Sequence, residues 1–172
     1  AVPAAVGVSQ ALGEHDIICI EGDGSIMMNL QELQTIVTNK LPIKIFIINN
    51  NGYHQVRQTQ DNIFHNGYIG MGPESGDLGF PDFCRLAAAF GIPYLAIRSN
   101  NELQDVVQRV LSTDGYVLCE VFASTTQKFE PKSATKKLED GTLISPPLED
   151  MAPFLSREEL AENMYVPMLS EE

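Results

Sequence analysis

The chain contains no tryptophan, three cysteines, and 11 lysines and arginines against 23 aspartates and glutamates. A formal net charge of −12 leaves no basic stripe to follow a phosphate backbone, which argues against nucleic acid as a partner. Cys19, Cys84 and Cys119 each fall in an apolar segment with no paired spacing. They read as buried, reduced thiols of a cytoplasmic protein, not as a disulfide framework or a zinc site. No apolar run approaches the ~20 residues of a membrane span. The first residues do not read as a basic-then-apolar leader, so a cytoplasmic location away from membranes is expected. What is present is ordinary globular composition, 44% hydrophobic and 20% charged over 172 residues, enough for one domain with a real core.

Apolar, β-branched runs recur at Asp16–Ile20, Ile43–Ile48, Tyr94–Ile97 and Val117–Phe122. Helical spacing lies between them: Ile26, Leu30, Leu33 and Val37; Phe83, Leu86, Ala87 and Phe90; Leu103, Val106, Val107, Val110 and Leu111. Asp82 and Asn100 suit N-caps, and Gly91, Gly115 and the Asn39–Pro42 break suit helix ends. Such alternation implies an α/β fold, a mostly parallel central sheet flanked by helices on both faces. A small-residue helix, Pro3 to Leu12, opens the chain, and a strand is expected to precede it in the parent protein. Residues 59–81 hold five glycines, Pro73 and Pro81 and read as a long binding loop or lid that includes Phe64 and His65. The expected organisation is a domain over residues 1–127, with residues 128–172 as a tail that packs on it or on a partner. That tail has a helical patch near Ser156–Met164 and an acidic group, Glu149, Asp150, Glu158 and Glu159, read as a solvated face.

Two polar breaks stand out. Gly22-Asp23-Gly24 ends one apolar run, and Asn49-Asn50-Asn51 ends the next. A helix of about 14 residues after Gly24 covers roughly 21 Å. The following strand of about six residues returns roughly 20 Å. Asp23 and Asn50 then finish neighbouring parallel strands at their carboxyl ends, where open α/β sheets bind ligands. A carboxylate, an amide oxygen and a backbone carbonyl at Gly52 form a hard oxygen set suited to Mg²⁺, with phosphate and water completing the shell. Gly22 and Gly24 admit a close backbone approach, and the amides that open the helix suit an anion. A dinucleotide fingerprint fits poorly, because Met27 stands where its third glycine belongs.

Gly22-Asp23-Gly24, 24 further residues, and Asn49-Asn50 together resemble the diphosphate-binding signature of the thiamine-diphosphate-dependent superfamily. "MMNLQEL", "LPIKIFIINN", "GYHQVRQTQ", "PDFCRLAAAFGIP" and "GYVLCEVF" resemble its acetolactate-synthase-like branch, over residues 1 to about 125. The resemblance implies thiamine diphosphate and Mg²⁺ as cofactors, with Asp23, Asn50 and Gly52 as metal ligands. It places Gly22, Gly24, Ser25 and Tyr53 at the cofactor and His54, Val56 and Gln58 at the substrate. It implies decarboxylation of a 2-keto acid and transfer of the resulting carbanion to an acceptor, the cofactor doing the chemistry.

The activating glutamate would lie on a pyrimidine-binding domain of the parent or of another subunit, in an expected homo-oligomer. Alone, this chain is expected to hold cofactor weakly and to catalyse nothing. The relatives' Met-x-x-Gln-Trp run is here Gln55-Val56-Arg57-Gln58-Thr59, without the tryptophan. A 2-keto acid decarboxylase of the same superfamily therefore stays open, as does a non-catalytic subunit that keeps the fold. Arg57 is expected to pair with acids of the loop, Glu32 to face solvent or an interface, and His15 to lie far from the site.

Overall fold

The computed structural model describes residues 1–13, 15–64 and 67–168, and His65 of the loop therefore lies outside the described residues. The chain divides into two compact units, Ala1–Thr126 and Gln127–Glu172.

The first unit is built on a four-stranded sheet of β1 (Ile17–Gly22), β2 (Ile43–Asn49), β3 (Tyr94–Ile97) and β4 (Val117–Phe122). The strand order is β1-β2-β4-β3 and every pairing is parallel. The expected α/β fold is thus observed, and four of its strands are those the apolar runs mark. Parallel strands need long crossovers, and helices supply them. Helix α1 (Val2–Leu12) precedes β1, and the crossovers carry α2 (Asp23–Ile26), α3 (Glu32–Asn39), α4 (His54–Phe64), α5 (Phe83–Phe90) and α6 (Leu103–Leu111).

Two cores lie on opposite faces of the sheet. On one, Val2 and Ala5 of α1, Leu33 and Ile36 of α3, and Phe83 and Ala87 of α5 pack on Ile43, Ile45, Ile47 and Leu118. On the other, Val106 and Val110 of α6 pack on Phe46, Ile97, Val117 and Cys119. Helices flank both faces, but unequally. Ile18 and Ile20 of β1 point away from the larger core and are 56% and 64% exposed.

Local chemistry accounts for the helix ends. The Asp82 carboxylate accepts the Arg85 N–H at 3.0 Å and caps α5, which stops at Gly91 in the left-handed region. Lys40, also left-handed at φ 51°, ends α3. Asn100 does not cap α6. It opens a 3-10 turn, Asn100–Glu102, and the Glu102 carboxylate instead accepts the Arg98 N–H.

The single helix expected after Gly24 is three pieces: α2, a 3-10 turn at Met27–Asn29, and α3. The expected loop over residues 59–81 is also shorter, because α4 continues to Phe64. No glycine or proline interrupts residues 53–66, and Thr59 Oγ1 bonds back to the Gln55 carbonyl at 3.0 Å. The breakers all come later, from Gly67 onward.

Lys44 lies within "IKIFII" yet is fully buried. Its ammonium donates to the carbonyls of Thr113 and Gly115 and lies 3.2 Å from the Asp16 carboxylate, at the amino edge of the sheet. A charge so placed is compensated, which is the condition for burying it.

The second unit holds a short antiparallel pair, β5 (Lys136–Lys137) with β6 (Leu143–Ile144), and α7 (Arg157–Asn163) capped by the Ser156 hydroxyl. Asp150 corrects the reading of its acidic group as a solvated face: it is 3% exposed and pairs with Arg157. No described helix is long and apolar enough to cross a membrane.

The cysteines also differ from expectation. Cys19 and Cys119 are buried, but Cys84, on the outer side of α5, is exposed. Burial pushes the Cys119 thiol up to about 11, with Glu120 adding to it, and burial raises Cys19 as well. Thiolate is the reactive form, so alkylation at pH 8 is expected to label Cys84 at least ~100-fold faster than Cys19 or Cys119. Peptide mass mapping of native and denatured protein reads the difference.

Candidate functional site at the carboxyl edge of the sheet

Parallel pairing runs from Ile17 opposite Ile43 to Gly22 opposite Ile48, so β1 and β2 end together. Asp23 follows β1 directly. Asn50, Asn51 and Gly52 follow β2 and turn the chain into α4. Both polar breaks therefore reach one edge. The turn requires unusual backbone, with Asn51 at φ 60° and Gly52 at φ 136°.

Asp23 is 1% exposed. One carboxylate oxygen accepts the Gly24 N–H at 2.7 Å and the other accepts the Gly52 N–H at 2.8 Å. Burial pushes this carboxyl above its ordinary value of 3.8, while the amides of Gly52, Gly24 and Asn51 pull the other way. Its described partners are amide dipoles alone; no Lys, Arg or His pairs with it among the described residues. A buried carboxylate of this kind suits a cation. Asn50 is half-buried, and its carboxamide makes no hydrogen bond among the described residues. No cluster of three His, Cys, Asp or Glu residues that could hold a metal occurs among them either. A metal here would take one acid, one amide and a carbonyl, which is a hard-cation donor set.

Tyr53 joins the two breaks. Its hydroxyl donates to the Gly24 carbonyl at 3.1 Å, and its ring lies 2.6 Å from where a Cβ on Gly24 would stand. Its N–H donates to the Met71 carbonyl at 2.7 Å. That same carbonyl would be 2.2 Å from a Cβ on Gly52. Met71, fully buried, thus brings the loop after α4 down onto the turn. Gly22 is different, since a Cβ there would meet only ordinary contacts, and Ser25 is exposed in the first turn of α2.

The three residues expected at the substrate do not share a surface. His54 and Gln58 are each 6% exposed, whereas Val56 is 40% exposed on the other side of α4. Arg57 is buried too, pairing with Glu74 of the loop and lying 5.7 Å from the Tyr68 ring centre. This is the pairing expected of it. Glu32 is half-buried and accepts the Thr35 hydroxyl at 2.8 Å. His15 precedes β1 at the opposite edge.

One group escaped sequence reasoning. Glu120, inside "VLCEVF", is 5% exposed and accepts from the Asn49 amide and the Tyr94 hydroxyl. An acid at the centre of an otherwise apolar strand was the available signal.

Fold and edge together define an α/β domain that presents a buried carboxylate and an amide-rich turn to a ligand. The family described as "Thiamine pyrophosphate enzyme, C-terminal TPP binding domain" matches residues 1–121, and the chain belongs to that family. Its relatives include the acetolactate synthase large subunit of Cyanidium caldarium, 38% identical over 136 residues, 79% of this chain and 23% of that protein. The acetolactate synthase isozyme 2 large subunit of Escherichia coli (strain K12) is 38% identical over 120 residues, 70% of this chain and 21% of that protein. Acetolactate synthase 1, chloroplastic, of Zea mays is 35% identical over 124 residues, 70% and 19% of the two chains. This chain thus spans about a fifth of the length of the relatives it matches.

The close approaches make a test. Gly52→Ala is expected to destabilise by ~2–4 kcal/mol, since neither the backbone angle nor the Met71 carbonyl tolerates a methyl group. Gly24→Ala and Tyr53→Ala should be less than additive by about 1 kcal/mol or more, because the ring is what the new methyl strikes. Denaturant unfolding of the single and double variants measures both.

Proposed function

We propose that this chain is the diphosphate- and Mg²⁺-holding part of a larger enzyme that decarboxylates a 2-keto acid and joins the remaining acyl carbon to an acceptor. The reading is an acetolactate-synthase-like carboligase. One observation carries it: Asp23, 1% exposed, is gripped by the Gly24 and Gly52 amides where two parallel strands end.

In this reading Asp23, Asn50 and the Gly52 carbonyl hold Mg²⁺, which needs few protein ligands when phosphate and water supply the rest. Gly24 and Ser25 meet the diphosphate, and Gly22 and Tyr53 line the cofactor. Bound thiamine diphosphate supplies the carbon nucleophile and electron sink that decarboxylation requires. The chain's own residues orient and exclude. Asp23 offsets metal charge, and Tyr53 keeps the Gly24 backbone at its distance from the turn. Exposed Val56 meets substrate, while buried His54 and Gln58 shape the wall behind it.

The activating glutamate belongs to a pyrimidine-binding domain of the parent or of another subunit, in a cytoplasmic homo-oligomer. Because Thr59 stands where the carboligases carry tryptophan, decarboxylation without ligation is the second reading.

Incubating the full-length protein with thiamine diphosphate, Mg²⁺ and pyruvate is expected to release CO₂ and form acetolactate. CO₂ with free aldehyde instead would select the second reading, and neither product would remove both. Asp23→Ala should weaken cofactor retention in equilibrium dialysis by more than ~100-fold, beyond the loss typical of residues that only support a metal ligand. Wild-type retention would sink the metal assignment.

A further inference from the structure

A polar chain runs beneath the carboxyl edge, and the proposed reading makes no use of it. Asn49, the last residue of β2, accepts the Asn51 N–H on Oδ1 at 3.0 Å. Its Nδ2 donates to Glu120 Oε1, and the Tyr94 hydroxyl donates to Glu120 Oε2. The three side chains stand on one face of the sheet. Ile47 lies opposite Glu120 and Tyr94 lies opposite Leu118, so each step from Asn49 to Glu120 to Tyr94 is a diagonal between adjacent strands. The Asn49 carbonyl also accepts the Ala123 N–H at 2.8 Å, holding the end of β2 to the chain leaving β4.

Packing alone does not call for an acid at 120. Its position is 5% exposed in an apolar strand, and no Lys, Arg or His forms an ion pair with it among the described residues. An ionised carboxylate only accepts hydrogen bonds, whereas the carboxamide of the same shape also donates. Facing Glu120, the Asn49 carboxamide must present nitrogen, which leaves its oxygen for the Asn51 N–H. Asn51 sits in the left-handed region, the least comfortable point of the turn. The next amide, Gly52, is the one bound to Asp23. Tyr94 occupies the second carboxylate oxygen, and burial followed by the Glu120 hydrogen bond holds its hydroxyl far above its ordinary value, as a permanent donor.

We propose that Glu120 is a positioning residue for the Mg²⁺ site: by fixing the orientation of Asn49 it fixes the Asn50–Gly52 turn against Asp23, and Tyr94 fixes Glu120. This rests on the proposed cofactor reading and extends it to strands β3 and β4, which carry no ligand. Residues that orient metal ligands act on affinity through geometry, without touching the ion.

Charge and geometry predict opposite results for one substitution. Asn49→Asp adds a negative charge beside a cation site, which by charge alone would tighten Mg²⁺. It also sets two carboxylates face to face, which would turn residue 49 away from Asn51. In the full-length protein, Mg²⁺ titration of thiamine diphosphate retention should show Asn49→Asp weakened about tenfold or more. Asn49→Asp combined with Glu120→Gln restores one donor and one acceptor in the same places, with the net charge of the wild type. Its affinity should return to within about threefold of wild type.

Tyr94→Phe, which removes one hydroxyl, should weaken Mg²⁺ about threefold, and it serves if Asn49→Asp fails to fold. Unchanged or tighter binding in Asn49→Asp, a double variant no better than that single one, or an unaffected Tyr94→Phe would each overturn the positioning role. A wild-type protein whose cofactor retention ignores Mg²⁺ would instead remove the proposed cofactor reading, and this inference with it.

Discussion

Gly24 and Gly52 are far apart in the chain, yet both donate their N–H groups to the two oxygens of one carboxylate, that of Asp23. The junction couples the end of β1 to the turn after β2, and most of the edge is arranged about it. Desolvation makes an isolated carboxylate costly at 1% exposure, so the amides must stay in place for the charge to remain. The backbone that delivers them must therefore be rigid. Rigidity comes from close contact: the Tyr53 ring on Gly24, the Met71 carbonyl on Gly52, and the Asn51 carbonyl on Gly72. Side chains at these glycines would force the strands apart or the loop away.

The sheet beneath places its buried charges with the same economy. Lys44 sits at the amino edge among carbonyls and Asp16, Asp23 at the carboxyl edge among amides, and Glu120 between them with two neutral donors. Each is surrounded by partners of the opposite polarity, and the two cores around them are predominantly apolar. The charges at the ends and the apolar layer between them are what make the edge polar and the centre inert. The family to which the chain belongs is described as a thiamine pyrophosphate binding domain.

The strands and their parallel order were readable because strands covered on both faces are nearly continuous apolar runs, as in "IKIFII" and "VLCEVF", each broken by a single charge. Asp82 and Gly91 marked α5 correctly because capping is a local event, settled by two or three residues. Readings failed where a distant contact intervened. Residues 59–64 read as the start of the loop, but they continue α4, several of whose polar residues are buried. Asp150 reads as surface acid and is buried, paired with Arg157. Cys84 sits among apolar neighbours in sequence and faces outward, because at one residue past Phe83 it is rotated off the buried side of the helix.

Asp23 and the Asn49–Asn51 run could be paired from the chain alone, because the length of the intervening helical and strand segments sends both to one edge. Chain length carries that much, since rise per residue is nearly constant for each kind of element. It carries nothing about which side chains meet across the sheet. That Tyr53 closes on Gly24, that Met71 closes on Gly52, and that Glu120 reaches Asn49 and Tyr94 from a different strand all follow from register and packing. Those depend on residues tens of positions apart coming into contact, which no local pattern records.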